Sequence, residues 1–301
     1  MEKLRPVPID FDDFWRHLAQ RAFDTSPHPR RHRTWKRRVH RVGFTSLDGV
    51  RIGGWLVYPK GTPDAAVVVG HGYGGRAGPD LNGIPKTAVA FFPVARGLPT
   101  LSMMESIPWS PSKHVLHGIE SRETYVHGHC AADILCAVNA FEEILGIPLG
   151  QSRNGLRLSY LGVSFGGGIG ALALPWDTRF DAAALHLPSF GAHSLRLKEP
   201  STGSAGPVRA WVEKHPEAWT VLDYFDAATA ATRIGVPTII APAATDPSVA
   251  PVGQWAIARA VPSPLSTIIP MTAGHMGYPE QEREAALYRA AAAALFLGQT
   301  P

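Results

Sequence analysis

The residues best placed to do chemistry lie in Gly162-Val163-Ser164-Phe165-Gly166-Gly167, between a short apolar run and a stretch of small residues. Leu156, Leu158, Tyr160 and Leu161 read as a buried strand, and Ile169, Leu172 and Leu174 begin an apolar helical face. A Gly-x-Ser-x-Gly turn between strand and helix holds its serine in a strained, exposed conformation, the setting of a covalent nucleophile. Glycines are needed at 162 and 166 because a Cβ there would collide across so tight a turn. A helix starting just after Ser164 aims backbone N–H groups and the positive end of its dipole at whatever the serine attacks. The five-residue pattern also occurs by chance in Gly-rich turns; the strand before it and the helix after it favour the nucleophile.

A serine hydroxyl needs a base, usually histidine, oriented by a buried carboxylate. Where a serine sits on such a turn, the acid and then the histidine follow it in the chain, each after a strand. His275, in Ala273-Gly274-His275-Met276-Gly277, follows the last predicted strand and precedes the final helix. Of the alternatives, His186 falls inside a strand, and His193 and His215 fall in a segment that breaks the strand–helix alternation. Asp246, in Ala244-Thr245-Asp246-Pro247-Ser248, follows the strand before His275, whereas Asp177, Asp181, Asp223 and Asp226 lie upstream. A helix N-cap ahead of Pro247 is the competing role for Asp246, and the two are compatible. The oxyanion hole takes one N–H from the residue after the nucleophile and one from the loop after an earlier strand. That assigns it to Phe165 and to Tyr73 in His71-Gly72-Tyr73. His71, His117, His127 and His129 match no standard zinc spacing and lack carboxylate companions, so no metal is expected.

These residues need a sheet to hold them. Val42 to Thr45 and Val50 to Val57 form a hairpin turning on Asp48-Gly49, and Ala65 to Gly70 reads as a central strand buried on both faces. Thr87 to Arg96 reads as a helix stopped by Gly97, and Leu98 to Met103 as a further strand. Ser121 to Leu145 is a long amphipathic helix; Ala182 to Leu187, Val236 to Ala241 and Ser266 to Pro270 are strands. Ala256 to Ala260 belongs to a helix, and Gln281 to Leu297 is the closing one. The alternation predicts an α/β protein with a mostly parallel sheet and helices on both faces. Residues 1–35 are read as a helical extension, and 188–230 as a lid-like insertion.

With 301 residues, 45% hydrophobic, the chain can bury one substantial core, and a single domain over 1–301 is expected. A net charge of +4 is mildly basic, and much of the excess lies between Arg30 and Arg41. No nucleic-acid motif accompanies that run, so it reads as a solvated connector or subunit contact, with no nucleic-acid partner. Cys130 and Cys136, six apart on a helix, point to different sides and are not expected to pair. The N-terminus has no apolar leader core and no run is long enough for a membrane span, so a cytoplasmic protein is expected.

With these residues placed, nearly the whole chain resembles carbohydrate esterase family seven, the acetyl xylan esterases and cephalosporin-C deacetylases. Phe11-Asp12-Asp13-Phe14-Trp15 is similar to that family's N-terminal helix, and Arg51 to Pro59 to its second-strand motif. His71-Gly72-Tyr73, the turn around Ser164, His117-Gly118-Ile119 with Tyr125, Tyr224-Phe225-Asp226 and the turns at Asp246 and His275 also correspond. The resemblance implies an α/β-hydrolase fold and serine-catalysed hydrolysis of acetyl esters of sugars and related small alcohols, without a cofactor. It further implies ring-like hexamers whose narrow entrance selects small substrates. Two departures stand out. The family's Arg-Gly-Gln-Gly motif follows its fourth strand, where this chain is read as Met103 to Pro108, with Arg96-Gly97 too early and at a helix end. Phe165 replaces the family's glutamine after the nucleophile.

Overall fold

Ala65-Ala66-Val67-Val68-Val69 contains no polar side chain, and such a run is stable as a strand only where both faces are covered. The computed structural model, which describes residues 5–299, places it at the centre of a nine-stranded sheet. Met1–Leu4, part of the N-terminus read above for a leader and an extension, and residues 300–301 lie outside the described residues.

The strands of the main sheet are β1 (Arg30–Arg33), β2 (Val39–Thr45), β3 (Arg51–Val57), β4 (Ala65–Val69), β5 (Ala88–Pro93), β6 (Arg157–Val163), β7 (Ala182–His186) and β8 (Thr238–Ala241), with β10 (Ser266–Ile268) at the far edge. They lie in the order β1-β2-β3-β5-β4-β6-β7-β8-β10. The first three pair antiparallel, β3 meets β5 antiparallel, and from β5 to β10 every pairing is parallel. Two short strands, β9 (Ala243–Thr245) and β11 (Met271–Ala273), form a separate parallel pair. The helices are α1 (Phe11–Phe23), α2 (Pro111–His114), α3 (Val126–Leu145), α4 (Phe165–Ala173), α5 (His193–Arg196), α6 (Ala205–Lys214), α7 (Trp219–Leu222), α8 (Ala227–Ala231), α9 (Pro251–Ala260) and α10 (Gln281–Phe296).

Successive residues of β6 show the two layers. The Tyr160 hydroxyl donates to the Gly166 carbonyl of α4 at 2.7 Å, while Leu161 faces the opposite side, beneath α10. On the first side α3 packs on both α1 and α4, and α8 on α4 and α9; α10 packs on β6, β7 and β8. One continuous apolar cluster runs through these layers. Cys130 and Cys136 are buried, unpaired thiols within it.

Three expected elements are corrected. Within residues 1–35, read as a helical extension, the described helix is Phe11–Phe23, and Arg30–Arg33 is strand β1, paired antiparallel with β2. Residues 88–93 are strand β5 rather than part of a helix over 87–96: the run pairs parallel with β4 and antiparallel with β3. Its unbroken apolar stretch fits a doubly buried strand, and Phe91, Phe92 and Pro93 favour strand over helix. Leu98 to Met103 is consequently not a strand but a series of turns. The 70–87 segment joining parallel neighbours β4 and β5 contains no helix. Residues 193–231 carry the short helices α5 to α8.

Candidate active site

β6 ends at Val163 and α4 starts at Phe165, so Ser164 alone makes the turn, with φ 53° and ψ −112°. Its N–H donates to the His186 carbonyl at 2.8 Å, and its carbonyl accepts from Ser189 N–H at 3.1 Å. The turn is packed backbone to backbone. A Cβ on Gly162 would lie 2.5 Å from the Gly166 carbonyl oxygen, and one on Gly166 would lie 2.7 Å from the His71 nitrogen. Only glycine fits at either position. The Gly166 N–H donates to the His71 carbonyl at 2.8 Å, tying the elbow to the loop after β4.

Asp246 and His275 directly follow β9 and near-directly follow β11, and the Met271–Ala243 and Ala273–Thr245 pairings bring the two loops side by side. His275 Nδ1 lies 2.7 Å from Asp246 Oδ2, and Nε2 lies 3.0 Å from Ser164 Oγ. An ionised carboxylate only accepts, so Nδ1–H donates to Asp246 and Nε2 is left to accept the Ser164 hydroxyl proton. Asp246 Oδ1 accepts the N–H groups of Ser248 at 2.8 Å and Val249 at 3.0 Å. Asp246 caps no helix, since α9 starts at Pro251 with Ala250 as its N-cap; Oδ1 instead ties the bend at 246–249 while Oδ2 faces His275. Burial pushes the Asp246 carboxyl up, but the His275 bond and the two backbone donors outweigh it and hold it below its ordinary value.

Sequence reasoning missed Gln254 of α9. Fully buried, it donates from Nε2 to Asp246 Oδ2 at 2.9 Å and to the Val249 carbonyl at 2.8 Å, and its Oε1 accepts from Ala243 N–H at 2.8 Å. One amide side chain thus clamps the acid to β9. No local signal marks it: Gln254 lies just before the helix read over Ala256 to Ala260, and the helix in fact starts at Pro251.

Phe165 opens α4 and Tyr73 lies in the loop after β4; their rings are 4.5 Å apart between centroids. The Tyr73 hydroxyl lies 3.0 Å from His114 Nδ1, and His114 Nε2 lies 2.9 Å from the Arg96 carbonyl. The carbonyl can only accept, so Nε2–H donates to it and Nδ1 accepts from Tyr73. This chain of bonds ties the Tyr73 loop to α2 and to the loop after β5, while the ring contact sets Tyr73 beside Phe165 at the start of α4, so the two segments assigned to the oxyanion hole are neighbours. Burial keeps Tyr73 protonated and pushes His114 down to about 4.

The remaining candidates have other placements. His71 contacts the Gly72 carbonyl through Nδ1 at 2.7 Å, and its Nε2 accepts from Ala95 N–H at 2.9 Å. Burial pushes it down to about 3. His193 is buried between the Phe225 carbonyl and Arg196, and His215 stacks on Trp211, so neither takes the base position. Among the described residues, no three of His, Cys, Asp and Glu come together as a metal site. Trp109 is exposed, whereas Phe190 is buried against Tyr73 and Phe165. With β5 ending at Pro93, Arg96-Gly97 follows that strand directly and takes the place assigned above to Met103 to Pro108. Arg96 is buried on Asp133, Nη2 to Oδ1 at 2.7 Å. Beside His275, on the α10 side of the sheet, lies a cavity of about 280 Å³.

A mostly parallel sheet with helices on both faces, and a serine on a strand–helix elbow facing a histidine and an acid from later loops, defines an α/β-hydrolase. The model of the family described as acetyl xylan esterase (AXE1) matches residues 2–288, and the chain belongs to that family. It is a carboxylic ester hydrolase, a serine esterase of short, acetyl-type esters. Among solved structures, the acetyl xylan esterase from Paenibacillus sp. R4 is similar at 22% identity and a TM-score of 0.77, over 96% of each chain. Acetyl xylan esterase 1 from Thermoanaerobacterium sp. JW/SL YS485 is similar at 17% identity and 0.76, over 95% of each. A puromycin-hydrolyzing peptidase of Mycobacterium tuberculosis shares the fold at 17% identity and 0.64, over 93% of this chain and 40% of that one. Comparison with curated proteins finds no match.

Proposed function

We propose that Ser164 is the nucleophile of this esterase, His275 its general base and acid, and Asp246 the group that orients His275. The observation that carries this is the unbroken line from Ser164 Oγ through His275 to Asp246, at 3.0 and 2.7 Å. His275 takes the hydroxyl proton as Ser164 attacks the ester carbonyl, then gives it to the leaving alcohol; water repeats the cycle on the acyl-enzyme. Asp246 holds the Nδ1–H tautomer and stabilises the imidazolium that forms. The backbone N–H groups of Tyr73 and Phe165 receive the oxyanion, helped by the positive end of α4.

The substrate reading is acetyl esters of sugars and related small alcohols, including cephalosporin-type acetyl esters. Residues 188–230 act as a lid, and the chain works in the cytoplasm as a homo-oligomer without nucleic-acid partners. The family likeness of the motifs supports the substrate and assembly readings. Turnover of p-nitrophenyl acetate by Ser164→Ala is expected to fall on the order of 10⁶-fold. Comparable rates, or no fluorophosphonate adduct on Ser164 of the unmodified enzyme, would remove the serine from the mechanism. Octanoyl esters preferred over acetyl ones would sink the acetyl reading, and a monomeric mass in light scattering would sink the oligomer.

A further inference from the structure

Between Asp24 and Asp64 the chain carries seven arginines and two lysines, and Asp48 is the only acid there. Asp48 is already taken by Arg21, at 2.7 Å. Among the described residues, none of the nine cations has an ion-pair partner. Seven of them lie on β1, on β2 or in the turn between the two strands. They crowd one another: burial, and then the nearby Arg31 and Arg33, lower the His40 pKa. A surface of one sign with no counter-charge of its own draws an anionic partner.

A groove of about 550 Å³ opens on this patch. Trp35, 88% exposed, and the inner Trp55 give it apolar faces, while His32, Arg33, Lys36 and Arg41 give it charge. Lys36 Nζ lies 5.1 Å from the centre of the Trp35 ring, so ring and cation are presented together. Among the described residues, no carboxylate lines the groove. An indole face covers the C–H face of a sugar ring, and a cation beside it receives a carboxylate on that ring.

The groove shares a face of the sheet with the catalytic residues. His32 pairs with Arg41, Arg41 with Trp55, and Trp55 with Phe92. The Val68–Phe91 pairing sets Val69 next to Phe92, and Val69 pairs with Leu161. Paired residues point to one side of a sheet, so this row runs from the groove to the cavity beside His275, which Val69 and Leu161 line. Trp55 and Leu161 are three strand spacings apart, about 14 Å. One segment walls off the two hollows: Ala77, Gly78 and Pro79 line the groove, and Arg76, Asp80 and Asn82 line the cavity. A single extended ligand crossing that segment reaches both.

We propose that this groove is a subsite for the uronate units of an acetylated oligosaccharide whose ester lies at Ser164. Trp35 stacks on a sugar ring, Lys36 and Arg41 receive its carboxylate, and the chain passes over 76–82 to the serine. The link to Ser164 rests on the esterase reading; binding in the groove does not. A nucleic acid would satisfy ring and charges equally, but it has no acyl ester to bring to the site on the same face.

Calorimetric titration with trigalacturonate is expected to show saturable binding that weakens as salt is raised, about tenfold tighter than for its carboxyl-reduced counterpart. Trp35→Ala and Lys36→Glu change exposed side chains, so melting temperature and p-nitrophenyl acetate turnover should hold. Each should weaken trigalacturonate about tenfold and lower kcat/KM on acetylated trigalacturonate by a similar factor. Lys36→Glu should leave kcat/KM on the acetylated, carboxyl-reduced sugar unchanged. Equal affinity for the charged and reduced sugars, or unchanged binding in both variants, would overturn the subsite. Poly(U) bound more tightly than trigalacturonate, and released by the same variants, would overturn it in favour of nucleic acid. Variants that weaken binding but leave kcat/KM on acetylated trigalacturonate unchanged would overturn the link to Ser164. Trigalacturonate bound by a protein that hydrolyses neither p-nitrophenyl acetate nor a sugar acetate would refute the esterase reading and leave the groove and its ligand standing.

Discussion

Ser164 and His275 stand 3.0 Å apart, yet the two sides of that contact are built differently. The serine side is held by backbone: Gly162, Gly166 and the His71 loop touch so closely that no Cβ fits, and β6 is central in the main sheet. The other side rides on β9 and β11, three-residue strands outside that sheet, and is held by hydrogen bonds to Gln254, Ser248 and Val249. The nucleophile's position thus depends on the absence of atoms, and the acid–base pair's on the presence of donors. Adding bulk should damage the first; removing a donor or acceptor should damage the second.

The sharpest cut at the hydrogen-bonded side is Asp246→Asn. The amide keeps an oxygen for the Ser248 and Val249 N–H groups but offers His275 Nδ1 a donor, favouring the wrong tautomer. kcat on p-nitrophenyl acetate should fall by about 10⁴, and the melting temperature should drop as well, because the new NH2 also meets Gln254 Nε2, itself a donor to that position. Acid should attack the other side through His71 and His114, buried neutral with values of about 3 and 4. Their folded values lie below the unfolded value of about 6.5, so the unfolded chain binds protons first. Stability is whole above about pH 6.5 and declines as pH falls toward 4, by at most about 1.4 kcal/mol per unit per histidine. A melting temperature flat from pH 7 to 4 would contradict this. Gly166→Ala places a Cβ 2.7 Å from the His71 nitrogen and should cost about 3 kcal/mol in denaturant unfolding. Gln254→Leu keeps the volume but leaves the Ala243 N–H unpartnered. It should cost about 1–2 kcal/mol and slow turnover far less than Asp246→Asn does.

The same division explains what the sequence made legible. The elbow is local: two glycines around a serine, a strand before and a helix after, all within twenty residues. Asp246 and His275 were found by chain order, and the structure brings them to Ser164. The strand at 88–93 was misread because an unbroken apolar run satisfies helix and strand templates alike, and the misreading displaced Arg96-Gly97 from its place after that strand. Strands β9 and β11 went unseen because three residues carry no periodicity. Gln254 and the cavity beside His275 were hidden for another reason: each depends on segments far apart in the chain, and on a crossover helix that does not form.

Strand β1 has a consequence for how the molecule behaves in company. A sheet that does not close presents bare N–H and C=O groups along its last strand, inviting another chain to add on. Here that strand reads Arg30-Arg31-His32-Arg33, all exposed, so two copies meeting antiparallel would set guanidinium against guanidinium. The opposite margin, β10, is only Ser266–Ile268, too short to seed a stable ladder. Charge guards one margin and brevity the other, so the long sheet stays a finished object rather than a template for fibres.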